Sequence, residues 1–408
     1  MKNEIIKRSV VRYINSENRE IKFNNGKGCY VYTDHGQKYS DFVLGYGPVV
    51  LGHSNEQFNE RILTLLPEGI HFPGFSVHHD AYLKALFHNM KVTDDLLTIF
   101  MKTSSESNTG AMRIAAEATK RKGVIRCGFT GWHDAQYASS VPWHFPPAFR
   151  NTVRNIGNMR GISNEEEVFN WDTLQTTQLE ELLKLKSHQI SSLIFDSYQL
   201  SFITEDDLRQ AICLCRKYDI LIILDETKSA GRVGPLGCLG QETELWDMLV
   251  TGKAIANGAP LSLLIVKEHL REATIKAQVG GTHSKEVMSI YCALTTLEIM
   301  NESNGYATLR TIGERTSTIF NEIVHECGLN ELIKMSPILG GALVDITLAD
   351  RLYNNPQTLK LLQTFFLDNS ILLLVGHPSF ISLAHSGMDW NEWRSQIFKS
   401  LAKWKKVL

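Results

Sequence analysis

Ser192-Leu-Ile-Phe-Asp196, Thr204-Glu-Asp-Asp-Leu208 and Ile220-Leu-Ile-Ile-Leu224 follow one another in a single short stretch of the chain. The outer two are unbroken apolar runs of strand length, and the middle one opens a helix. Thr204 is placed to accept a backbone N–H as N-cap, and Glu205, Asp206 and Asp207 put negative charge at the positive end of the helix dipole. Leu208, Ala211, Ile212 and Cys215 then recur at i, i+3, i+4 and i+7, which gives the helix one apolar face. Arg216 and Lys217 end it where the carbonyl terminus favours cations. Strand, helix and strand in this order predict a β-α-β crossover, so the two strands run parallel. The second strand leads into Asp225-Glu226, and ligands of open α/β sheets bind beyond the carboxyl ends of the strands. Asp225 is thereby placed for chemistry.

The same rhythm of short apolar runs and amphipathic stretches extends from about residue 90 to 265, as expected for an α/β domain with a mostly parallel sheet. Residues 27–47 alternate around Asp34-His-Gly36, which predicts a hairpin. Residues from Ser139 to Asn170, with Pro142, Pro146 and Pro147, read as a long loop, and such loops often carry function. With 408 residues the chain exceeds one compact core. The expected division is an N-terminal segment, 1–50, contributing to a small domain, a large domain, 51–295, and a C-terminal α+β domain, 296–408.

Composition narrows the possible partners. There are 42 basic and 44 acidic residues, so no basic excess favours nucleic acid. The opening MKNEIIKRSV lacks a secretory core, and runs such as Leu261–Val266 and Ile371–Val375 are too short to span a membrane. The expected location is the cytoplasm. Seven scattered cysteines form no C-x-x-C pair and read as reduced thiols in the core. His78-His79-Asp80 could suggest a metal, but the neighbouring side chains diverge and no further ligands are spaced to close a site, so no metal is expected.

Three features carry chemistry together. Thr251-Gly-Lys-Ala-Ile-Ala-Asn-Gly-Ala-Pro260 places Lys253 between an apolar run and a Gly/Pro turn, where a desolvated amine can form a Schiff base with an aldehyde cofactor. Asp225 lies 28 residues earlier and could keep a pyridine nitrogen protonated. Thr103-Ser-Ser-Glu-Ser-Asn-Thr-Gly-Ala-Met-Arg113 follows the apolar run Leu97–Met101 and offers hydroxyls and N–H groups at a helix start, suited to a phosphate. Each has an ordinary reading too: a solvated lysine, an Asp closing a turn, an N-cap at Ser104 or Ser105. Their joint occurrence in this order does not.

The motifs resemble the class III pyridoxal-phosphate-dependent aminotransferases. Asp225-Glu-Thr-Lys-Ser-Ala-Gly-Arg-Val-Gly-Pro235 is similar to that family's Asp-Glu-Val…Arg-Val-Gly segment, and Gly252–Pro260 to its lysine loop. Gly28-Cys-Tyr-Val-Tyr, Asp34-His-Gly, Tyr39-Ser-Asp-Phe42, Gly47-Pro48, Gly52-His53, Gly131-Trp-His-Asp134, Gly281-Thr282 and Ile381-Ser-Leu-Ala-His385 match further landmarks, so the likeness covers about residues 20 to 390. The spacing from Asp225 to Arg232 is similar to that of the glutamate-1-semialdehyde aminomutase branch.

The resemblance implies a fold type I transferase whose mostly parallel sheet has seven strands, with pyridoxal 5'-phosphate as cofactor. It implies Lys253 as the lysine that carries the cofactor, Asp225 at the ring nitrogen, Ser104 and Ser105 at the phosphate, and Phe129 stacked on the ring with Thr227 near it. Thr282 would reach the cofactor phosphate of a neighbouring subunit, which requires a homodimer. The implied reaction is ping-pong transfer of an amino group between an amino donor and a carbonyl acceptor through a pyridoxamine form, with intramolecular aminomutase chemistry as the alternative. A non-catalytic relative that keeps the pocket is the other class of reading, and the joint retention of Lys253, Asp225 and the phosphate loop argues against it.

Departures bear on the substrate. Arg8-Ser-Val-Val-Arg12 lacks the aminomutase glycines, Phe129-Thr-Gly-Trp132 replaces Tyr-His-Gly-His, and Asp196 stands where the family often has Glu-Pro. They suggest a specialised biosynthetic pathway. Lys228 is unusual beside Asp225 and is read as binding an anionic substrate or pointing to solvent; His133 is read as structural or near the site.

Overall fold

The computed structural model describes residues 13–17, 19–88, 95–133, 139–150, 153–154 and 167–408. A seven-stranded sheet lies at its centre, in the order Val168–Asn170, Gly123–Cys127, Ile190–Asp196, Leu221–Asp225, Met248–Thr251, Ser262–Lys267, Leu96–Met101. The first five run parallel; Ser262–Lys267 is antiparallel to both its neighbours.

Both faces of this sheet are covered, which explains why its strands read as continuous apolar runs rather than alternating ones. Leu193, Phe195, Ile222, Leu224, Leu249, Leu263 and Ile265 enter one core, whereas Ile194, Ile223, Met248, Val250, Leu264 and Val266 enter another. The period-2 alternation of a strand thus sorts neighbouring residues onto opposite faces. Helix Glu205–Lys217 packs on the first face through Leu208, Ala211, Ile212 and Cys215, all buried. Burial of Leu208 or Ile212 contributes roughly 1.5–3 kcal/mol each. Helix Ser104–Thr119 covers the second face with Ala111, Ile114 and Ala115.

The crossover forms where its spacing places it, with Thr204 as N-cap accepting from the Asp207 N–H at 3.1 Å. The hairpin forms between Tyr30–Thr33 and Lys38–Asp41, antiparallel across the turn at residues 34–37. Ile371–Leu372 joins Lys38–Asp41 in parallel, with Leu372 opposite Asp41, and a further three-stranded sheet joins Ile333–Ile338, Leu343–Leu348 and Ser379–Phe380. These share a separate core with Phe42, Phe366, Trp393 and Trp404.

The stretch from Ser139 to Asn170 is not a loop throughout. Val168–Asn170 is the edge strand beside Gly123–Cys127, and Ser139–Ser140 pairs with Val153–Arg154. Strands of two or three residues are too short to show a period, so they are set by their partners. Residues 151–152 and 155–166 of that stretch lie outside the described residues, as do Arg8–Arg12 and Asp134. Among the described residues no helix is long and apolar enough to cross a membrane.

Candidate active site

The carboxyl ends of three adjacent strands bring Asp196, Asp225 and Thr251 side by side, with the start of helix Ser104–Thr119 facing them. A cavity of about 350 Å³ opens there, lined among others by Ser104, Ser105, Phe129, Asp225, Thr227 and Lys253. Six of the seven sequence-predicted site residues therefore meet in one place. The seventh, Thr282, is exposed on the turn Thr282–Lys285, where its carbonyl meets His71 Nε2 at 3.1 Å.

The helix cap shapes one end of the cavity. Thr103, rather than Ser104 or Ser105, is the N-cap: its Oγ1 accepts from the Glu106 N–H at 3.3 Å, and Glu106 Oε2 accepts from Thr103 N at 2.8 Å and Lys102 N at 2.9 Å. This capping box uses the carboxylate of Glu106 backwards, so Ser104 and Ser105 sit in the first turn itself and line the cavity. Gly252 allows the lysine loop to approach: a Cβ there would fall 2.2 Å from Ser104 Oγ.

Lys253 adopts a left-handed conformation, φ 51°, which costs a side-chain-bearing residue about 1–3 kcal/mol and recurs at functional sites. Burial, and then the nearby Lys228 ammonium, pull its amine down to about 7. Near neutral pH a large share of the amine is therefore unprotonated and nucleophilic.

Asp225 is buried, and its acceptor sites are set from two sides. Thr227 N donates to Oδ1 at 2.9 Å and Asn108 Nδ2 donates to Oδ2 at 2.7 Å. Burial, reinforced by Asp196, raises its pKa, so a cationic partner would gain from facing it. Asn108 also donates to the Thr130 carbonyl at 2.7 Å, which joins the helix to the loop carrying Phe129. Asn108 is a residue that motif reading missed; its position four residues after Ser104, on the same helix face, is the signal that could have found it.

The segment after Asp225 is tied down by its own buried charges. Glu226 accepts from Leu239 N at 2.7 Å and Cys238 N at 3.1 Å, and Arg232 donates to the carbonyls of Gly47 and Ile381. Of the two sequence readings of Lys228, the structure overturns the solvent one: the side chain is 3% exposed, lines the cavity and is ion-paired with buried Asp196. That pairing joins the end of one strand to the turn after the next, and spacing along the chain does not reveal it.

The histidines resolve locally. His79 takes the Ser76 N–H on Nδ1 at 3.1 Å at a helix start, His78 meets Glu68 at 2.8 Å, and His133 shares a hydrogen bond with Thr109 at 2.8 Å. Among the described residues no group of three or more His, Cys, Asp and Glu could hold a metal.

Pyridoxal phosphate fits this set of groups. Buried Thr130 Oγ1 and Asn108 Oδ1 have no hydrogen-bond partner among the described residues, although buried polar atoms are nearly always satisfied. A serine-led helix start, a buried carboxylate and an amine largely freed of its proton near neutral pH supply what a phosphate, a pyridine nitrogen and an aldehyde require.

Known proteins agree with the geometry. The family model described as aminotransferase class-III matches residues 13–383. Glutamate-1-semialdehyde 2,1-aminomutase of Thermus thermophilus is 25% identical over 318 residues, covering 74% of this chain and 72% of that one. The 3-aminobutyryl-CoA aminotransferase of Cloacimonas acidaminovorans is 22% identical over 400 residues, covering 95% and 90%. Among solved structures, an omega-transaminase from Sphaerobacter thermophilus superposes with a TM-score of 0.80 at 18% identity, covering 96% of this chain and 93% of that one. A family match over nearly the whole described chain, laid on a pocket of this chemistry, establishes that the chain belongs to the class III aminotransferases, enzymes that work with pyridoxal phosphate.

Proposed function

We propose that Lys253 is the residue that carries the cofactor and moves the proton in amino transfer, with Asp225, Ser104, Ser105, Phe129 and Thr227 arranged around it. The observation that carries this reading is the amine of Lys253, lowered to about 7 and held at a left-handed backbone position in the same cavity as Asp225 and the serine-led helix start.

When bound, the cofactor supplies an electrophilic aldehyde and a ring that delocalises the charge left as a proton departs from the substrate's Cα. Ser104 and Ser105 hold the phosphate with hydroxyls and helix N–H groups. Asp225 holds the proton at the ring nitrogen, kept in orientation by Asn108 and Thr227 N. Lys253 Nζ takes the proton from Cα and delivers it onward, a role suited to a base near neutral pKa. Phe129, 40% exposed and lining the cavity, covers the ring face.

The substrates are a small amino donor and a carbonyl acceptor, read as members of a specialised biosynthetic pathway from the departures at residues 8–12 and 129–132. The chain is read as a homodimer. Ile70, Phe75 and Val77 are exposed, and the segment carrying them is tied to the Thr282 turn by Val287 N to Ile70 O at 2.9 Å and Lys285 Nζ to Pro73 O at 3.0 Å. Exposed apolar residues next to the Thr282 turn support reading that side as the association surface. The separate cores support dividing the chain into 51–295 and 296–408, with 1–50 joined to the second through the pairing of Lys38–Asp41 with Ile371–Leu372.

The test is the visible absorbance of the protein loaded with pyridoxal phosphate. Wild type is expected to keep a cofactor band through dialysis, to lose it with an amino donor and to regain it with a carbonyl acceptor. Lys253→Ala is expected to lose that retention; a variant that kept both band and turnover at wild-type rate would remove Lys253 from its role. A donor panel separates the two chemistries: release of a keto product marks transfer between molecules, and its absence with an amino aldehyde marks aminomutase chemistry.

A further inference from the structure

Two of the positions at which this chain departs from the aminotransferase pattern, Asp196 and Lys228, meet at the wall of the pocket, which Lys228 lines. Parallel register sets Asp196 directly opposite Asp225, and both are buried. Paired residues on neighbouring strands face the same side of a sheet, so two carboxylates stand next to each other away from water. Like charges placed so disfavour joint ionisation unless a cation intervenes. Lys228 supplies that cation. Its ammonium is bonded to Asp196 Oδ2, and it otherwise faces the rings of Phe129 at 5.8 Å and Tyr198 at 5.6 Å from their centroids. The other oxygen of Asp196 accepts from Tyr198 N at 3.1 Å, while those of Asp225 accept from Thr227 N and Asn108. The charges are thereby sorted, one carboxylate to Lys228 and one to the cavity.

We propose that Lys228 and Asp196 form a positioning pair for the amino-transfer site: Lys228 takes up the charge of Asp196, leaving Asp225 as the carboxylate beside the cofactor ring and Lys253 whose charge no lysine takes up. The proposal rests on the reading of Lys253 and Asp225 given above. Lys253 is faced by Lys228, Asp196, Asp225 and Arg232, and by the imidazoles of His144 and His377, both kept neutral by burial first and by the neighbouring charges second. Removing Lys228 exposes Lys253 to a second carboxylate and strengthens its hold on a proton. Removing the charge of Asp196 exposes it to an uncompensated ammonium and does the reverse.

The experiment measures the pH dependence of Lys253 acylation in the apoprotein by an amine-reactive ester, read by peptide mass spectrometry, with circular dichroism to verify folding. Lys228→Met is expected to raise the labelling midpoint by about one pH unit, roughly fivefold less labelling at neutral pH. Asp196→Asn is expected to lower it, the double variant to return near wild type, and Lys228→Arg to stay there. A merely structural pair would not give opposite signs and mutual rescue. An unchanged midpoint in Lys228→Met, or a double variant as displaced as the single, overturns the proposal. If Lys228→Met does not fold, Asp196→Asn decides, and a wild-type midpoint overturns it. Labelling reads the amine without cofactor, so it is independent of the spectral test that could remove Lys253 from its catalytic role.

Discussion

Helices Ser104–Thr119 and Glu205–Lys217 cover opposite faces of one sheet, and each begins with a threonine capping box. They differ in the first turn. The second helix fills its positive end with its own acids, Glu205, Asp206 and Asp207. The first has only Glu106 there, and that carboxylate folds back onto the cap, so Ser104 and Ser105 face the cavity. Equal caps thus serve unequal ends: one helix neutralises its own dipole, and the other leaves it for the charge of a ligand. The presence of a cap identifies a helix start, while the first turn left without further acids is the one that faces the cavity.

The comparison breaks most completely where the amine facing the Ser104 end is removed. Lys253→Ala is expected to slow the single-turnover reaction with an amino donor by about 10³-fold, with the fold intact by circular dichroism. The amine also leaves a mark on stability. Its folded value of about 7 lies below the ordinary 10.5, so between those values the unfolded chain binds more protons. Stability of the apoprotein is then expected to rise with pH across that window, by up to about 1.4 kcal/mol per unit, and to fall again as pH drops back toward 7. Urea unfolding from pH 7 upward checks this, and Lys253→Met should flatten the slope.

Exchanging first-turn chemistry sharpens the contrast. Ser104→Asp gives the first helix the acidic start of the second, and is expected to weaken pyridoxal phosphate binding by about 1–2 kcal/mol, roughly 5–30-fold by equilibrium titration. Thr103→Ala and Thr204→Ala should each lower stability by about 1 kcal/mol, with cofactor affinity reduced only by the first. The smallest effect is expected of Glu205→Ser, about 0.3–1 kcal/mol of stability, with cofactor binding unchanged.

Much of this site was legible before any coordinates. Lys253, Asp225, Ser104 and Ser105 were found because a turn, a strand end and a helix start each announce themselves over a few residues. Asn108 was passed over as an ordinary helical polar residue, since its partner Asp225 is 117 positions away. The burial of Lys228 is not legible along the chain, because an exposed lysine is the default and its partner lies on the preceding strand. The edge strand Val168–Asn170 was taken for loop, because three residues carry no period of their own.

The sequence by itself determined the Thr204 cap, the crossover, the run-ends at Asp225 and Lys253 and the family, because these rest on contacts within about one helical turn or on motifs read along the chain. The tertiary structure alone decided that Asp196 stands beside Asp225, that Lys228 neutralises one of them, and that Gly252 passes against Ser104. Strand order and register set those juxtapositions, and they depend on how whole faces of the sheet are buried rather than on any local spacing.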